Sequence, residues 1–173
     1  MIIKKVILIL AMMLPMVSIH AQIAVDKIDD FTGKRSIRTE RVRIVDGRWY
    51  TLTLEFELSD GNTYLRANFW KNQAFQVEEG ETKLFLKYDD GTVIETPCIE
   101  SLSARHSGVG FRERHAEFYL QCTDEIIRKS ASNRLVRFRF CLNTHDVIEY
   151  DVKSRRAKQF QEQAVSYLEA IGK

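Results

Sequence analysis

Histidine is the side chain best suited to acid–base work and metal binding near neutral pH. Beyond the N-terminal segment, the 173-residue chain holds His106, His115 and His145. No H-x-H, H-E-x-x-H or His/Cys pairing surrounds them, so no zinc motif is present. His115 has Glu113 and Glu117 two residues to either side. On a strand that spacing puts all three on one face, where they would hold a hard or borderline cation if enclosed. The plainer reading is a solvated polar sheet face, which alternation alone predicts. His145-Asp146 falls in a predicted turn.

Two arginine clusters come next. Arg105, Arg112 and Arg114, with His106, surround the glycine-bearing stretch Ser101–Gly110; Arg134, Arg137 and Arg139 line one strand, with Glu149 and Asp151 on its predicted partner. A guanidinium fork suits carboxylate, sulfate or phosphate, but opposite charges across a hairpin also pair an exposed sheet face in the ordinary way. A third run, Lys153, Arg155, Arg156 and Lys158, falls near a helix start and reads as solvated surface. Among aromatics, Trp49, Trp70, Tyr64 and Tyr88 sit near strand ends or turns, where rings stack on sugar faces or pack at the core rim. The candidate binding residues are therefore Arg105, His106, Arg112, Arg114 and Trp70. No G-x-S-x-G elbow and no phosphate-cradling glycine loop occurs, and Gly108-Val109-Gly110 is too short to count. No cofactor or metal site and no catalytic residue is expected.

The three cysteines, Cys98, Cys122 and Cys141, are too far apart for a paired C-x-x-C site. As an odd set they leave at least one free thiol, and small buried hydrophobes are the expected role. Cys122–Cys141 is the expected pair if one bridge forms.

The elements that must position these groups are mostly strands. Trp49–Ser59 alternates strictly, with Tyr50, Leu52, Leu54, Phe56 and Leu58 on a buried face and Thr51, Thr53, Glu55 and Glu57 on a wet one. Asp60-Gly61-Asn62 turns the chain into Thr63–Trp70. Ser36–Val45 is expected as a first strand after the lead-in Gln22–Lys34. Asp89-Asp90-Gly91 marks another hairpin, and Pro97 points to a strand end or edge. Arg112–Gln121 alternates with either Ala116, Phe118 and Leu120 or the opposite phase inward. Thr123-Asp124-Glu125 starts a short helix. Arg134–Phe140 and Val147–Val152 form a last hairpin around Asn143–Asp146. Ala157, Phe160, Ala164, Leu168 and Ile171 then mark one apolar helix face, with Lys158, Gln159, Glu162, Gln163 and Glu169 away from it. Eight or nine strands and so little helix predict a mainly β fold. It is an antiparallel β-sandwich or barrel-like sheet, with a short helix before the last hairpin and a C-terminal amphipathic helix.

Residues 1–21 read as a secretory signal: Lys4 and Lys5, the apolar run Val6–Val17, and Ala21 at the cut. That run is too short for a membrane span of ~20 residues, and no transmembrane segment is expected beyond it. Residues 22–173 then make one β-rich domain. Setting Lys4 and Lys5 aside leaves 24 basic against 24 acidic side chains. A balanced chain gives no electrostatic reason to expect nucleic acid as a partner.

IDDFTGK (Ile28–Lys34), DDGT (Asp89–Thr92) and the ending TDEIIRK…LVRFRF…VIEYDV resemble small exported β-rich proteins of Bacteroidetes-type bacteria that lack an assigned function. The resemblance implies export and a sandwich-like fold, and brings no catalytic residues. The sequence thus predicts an exported, non-enzymatic binding module of the periplasm or cell surface, for an unknown small ligand or protein. A protein–protein interaction or accessory module is the alternative, and a small metal-dependent enzyme ranks third.

Overall fold

A computed structural model describes residues 22–102, 113–143 and 146–173. Its strands are β1 (Ile23–Ile28), β2 (Arg35–Thr39), β3 (Val42–Asp46), β4 (Tyr50–Ser59), β5 (Asn62–Phe75), β6 (Lys83–Tyr88), β7 (Val93–Ser101), β8 (Glu113–Gln121), β9 (Leu135–Cys141) and β10 (Val147–Asp151). Helix α1 (Asp124–Ser132) precedes β9, and α2 (Ser154–Ala170) follows β10. Residues 1–21, read from the sequence as a secretory signal, lie outside the described residues.

The alternating stretch at β4 folds as expected and pairs with β5 from Tyr50↔Lys71 to Ser59↔Asn62. Asp60 (φ 53°) and Gly61 (φ 81°) both take positive φ, the two-residue turn whose twist matches the flanking strands. All pairings are antiparallel, in the order β1-β2-β4-β5-β8-β7-β6-β9-β10, with β3 also on β4, and the sheet does not close into a barrel. Pro97 is neither at an edge nor at an end, contrary to expectation. It sits inside β7 where that strand passes from β6 (Val93–Pro97) to β8 (Cys98–Ser101). At such a handover the missing N–H interrupts least.

The bent sheet closes over one core. Phe140 of β9 meets Phe69 of β5 edge-on at 4.8 Å and stacks on Phe118 of β8 at 5.5 Å. Ala116, Phe118 and Leu120 are the inward set of β8. Helix α2 fills the open side, where Phe160 and Tyr167 stack on Phe56 at 5.5 and 5.4 Å. Fully burying such a ring contributes about 1.5–3 kcal/mol. Thr123 caps α1, accepting from the Ile126 N–H at 3.4 Å, with Asp124 and Glu125 in the first turn.

Three further expectations are corrected. The lead-in contains a strand, β1, paired with β2. The expected first strand is two pieces: β2 pairs with the end of β4 and β3 with its beginning, leaving a break at residues 40–41. And Gln163, expected away from the apolar face, is fully buried. Its amide nitrogen lies within hydrogen-bond reach of Thr39 Oγ1 (2.9 Å), the Leu54 carbonyl (3.2 Å) and the Glu40 carbonyl, and its two N–H groups are shared among these three acceptors. Thr39 Oγ1 accepts from the Phe56 N–H at 2.9 Å. The break strands ladder groups of β4, and buried polar groups must find partners. A polar residue on the helix face supplies them. Among the described residues, no helix is long and apolar enough to cross a membrane.

Candidate functional site

Of the candidate residues, Arg105, His106 and Arg112 lie outside the described residues, as does His145. Arg114 lies in β8. Trp70 lies on β5, directly opposite His115, on the outer face of β4, β5 and β8. The registers make this face a grid: Glu55↔Arg66↔Tyr119, Thr53↔Asn68↔Glu117 and Thr51↔Trp70↔His115.

Arg66 occupies the centre. Its Nη2 donates to Glu117 at 2.8 Å and its Nη1 to Glu57 at 3.3 Å, and its Nε lies 3.3 Å from Glu55. Arg41 bridges Glu55 (3.3 Å) and Glu117 (3.2 Å) from the β2–β3 break. Glu55, expected on a wet face, is only 3% exposed because these two guanidinium groups close over it. Burial pushes its carboxyl up despite the pull of Arg41 and Arg66. Burial also works on Glu117, but hydrogen bonds from Arg66 and Asn68 outweigh it and hold that carboxyl low. Burial and the neighbouring Glu57 push the Tyr119 hydroxyl up to about 12.

His115 Nε2 lies 2.8 Å from the Asn68 amide oxygen. An amide oxygen only accepts, so Nε2 carries the proton. Glu117 faces Arg66, Asn68 and Arg41. Among the described residues no cluster of His, Cys, Asp and Glu could hold a metal ion. The face is a self-paired charge network. A ligand here would have to displace ion pairs that are already made.

The second arginine cluster is likewise paired. Arg137 donates to Asp151 at 2.6 Å, Arg139 to Glu149, and Arg134 lies 3.5 Å from Asp89. The cysteines are free: burial pushes the Cys98 thiol to about 11 and the Cys122 thiol to about 12, so neither is a ready nucleophile. Tyr88 is buried, its hydroxyl 2.8 Å from Ser130 Oγ, whereas Trp49 is 59% exposed with Arg48 over its ring at 5.3 Å.

Unspent charge lies elsewhere. Two adjoining clefts, of about 250 and 400 Å³, run along β3 beside the start of α2. Residues 44–46 line the first and 40–43 the second, and Arg156 lines both. Tyr150, Lys153 and Arg155 complete the first, and Gln159 faces the second. Here Asp46 is held by Arg43 at 3.1 Å, and Arg41 is committed to Glu55 and Glu117. Lys153 and Arg155 have no ion-pair partner among the described residues, and Arg156 donates only to Gln159, at 3.0 Å. Helix α2 has no capping side chain and no acid in its first turn. Cations at a helix start oppose its dipole, and an anion in the cleft would offset that cost. Sequence reasoning placed Lys153, Arg155 and Arg156 on solvated surface. The groove joins residues more than a hundred positions apart, so no local motif marks it.

No protein-family model, curated protein or solved structure matches this chain.

Proposed function

We propose that the protein is an exported, non-enzymatic binding module that holds an anionic ligand in the groove between β3 and the start of α2. The observation that carries this is the set Lys153, Arg155 and Arg156, which faces the groove without an acidic partner. Other arginines on the two sheet faces, Arg41, Arg66, Arg137 and Arg139, are paired with carboxylates. The signal pattern of residues 1–21 supports export. That His115 and Glu117 are engaged with Asn68 and Arg66 supports a binding role over an enzymatic one.

The test is thermal unfolding of the full chain with citrate, against chloride at equal ionic strength. A ligand that binds only the native state raises the melting point with concentration. The rise is expected in the wild type and lost in Arg155→Glu, whose side chain is exposed. An equal rise in both would contradict the assignment.

One observation favours a second reading, a protein–protein module docking through the β1–β2 hairpin. Phe31 at its tip is 99% exposed and Ile28 64%. The turn is fixed by Asp29, whose carboxylate accepts from the Phe31 and Thr32 N–H groups at 3.0 and 2.7 Å. A pre-ordered turn loses little entropy on docking an aromatic anchor. Phe31→Ser with intact folding and no change in any binding would count against it.

A further inference from the structure

We propose that the anion is carried by a peptide: an extended acidic segment that lies along the free edge of β3, with its carboxylates against Lys153, Arg155 and Arg156. This deepens the anion-groove reading and rests on it. Within the sheet β3 pairs with β4 alone, so no strand covers its other edge. An uncovered strand edge offers a row of N–H and C=O groups that a peptide can extend. The groove follows this edge along Val42–Asp46, with Lys153, Arg155 and Arg156 on the side of α2; Glu40, whose N–H and carbonyl are already held by Gln22 and Gln163, lies at its far end. β3 has five residues, a span of about 17 Å at 3.4 Å per residue. That length suits a strand of peptide and exceeds a lone phosphate or carboxylate.

Strand geometry then sets the pattern of the ligand. Side chains two residues apart point to the same side, about 7 Å from each other. Acidic residues at alternate positions would therefore all face the start of α2, and the intervening side chains would face away. A second copy of this chain is a poor occupant. It would set Arg43, Lys153 and Arg155 of one molecule near the same residues of the other.

The experiment is calorimetric titration of the full chain with three probes: a capped peptide alternating Glu and Thr, the same peptide N-methylated on alternate amides, and inorganic phosphate. N-methylation removes backbone donors and leaves every carboxylate in place. The unmodified peptide is expected to bind, N-methylation to weaken it about tenfold or more, the worth of one lost hydrogen bond to the edge. Lys153→Glu and Arg155→Glu, both exposed, are each expected to weaken it by a similar factor. Equal binding of both peptides, or phosphate that binds as tightly as the unmodified peptide, would overturn strand addition and leave the anion groove standing. No binding of any probe would overturn both.

Discussion

The amide nitrogen of Gln163, midway along the last helix, lies 2.9 Å from the hydroxyl of Thr39 at the end of the second strand. This contact joins the two halves of a broken edge. Thr39 satisfies the Phe56 N–H, and Gln163 serves the Leu54 and Glu40 carbonyls, so one polar pair replaces the missing rungs of the ladder. The same break frees Arg41 to reach over Glu55 and sets β3 beside the start of α2, where the groove forms.

Gln163→Leu keeps the volume and removes the donor. Carbonyls left unpaired in a buried site cost about 1–3 kcal/mol, and a loss near 2 kcal/mol in urea unfolding is expected. An unchanged midpoint would show that the break has other support.

Arg66→Met is expected to cost about 3 kcal/mol, because it leaves buried Glu55 with one partner only. The double variant with Glu55→Gln should recover part of that loss. Strictly additive losses would mean that the two side chains do not interact.

Phe160→Ala opens a cavity between α2 and Phe56 and should cost about 3–4 kcal/mol. The companion change Val165→Ala, on the exposed side of α2, should cost well under 1 kcal/mol. Similar losses for the two would contradict the placement of α2 over the core.

Two carboxyls on one face should respond oppositely to acid. Glu55 sits above its ordinary 4.5 in the folded state. Between that ordinary value and the raised one, the native state binds more protons than the unfolded state. Unfolding free energy from this group therefore rises as pH falls through the window. Glu117 sits below its ordinary value, so its contribution is present at neutral pH and is lost as pH falls through the folded value. Glu117→Gln should flatten the acid-side loss of stability in chemical unfolding, and Glu55→Gln should steepen it. Parallel profiles for the two variants would contradict these environments.

Local periodicity made much of the fold legible. Strict alternation marked the inward face of β4, the Asp-Gly pairs marked the β4–β5 and β6–β7 hairpins, and the spacing of Ala157, Phe160 and Ala164 marked α2. The pairing of Arg137 and Arg139 with Asp151 and Glu149 was also readable, since a short turn dictates register. What was hidden depends on distant partners. β1 carries too little apolar pattern to stand out from a loop. Gln163 reads as surface until the break at residues 40–41 demands a donor. Glu55 reads as wet until Arg41 and Arg66 cover it. The groove has walls at residues 40–46 and 150–159, which only the folded sheet brings together.

The most direct test of the anion groove is a titration of the ¹⁵N-labelled full chain with citrate, followed by amide resonances at constant ionic strength. Saturable shifts confined to residues 42–46 and 153–159, absent in Arg155→Glu, are predicted. Shifts centred on Glu55 and Glu117, or none that saturate, would contradict an anion site between β3 and α2.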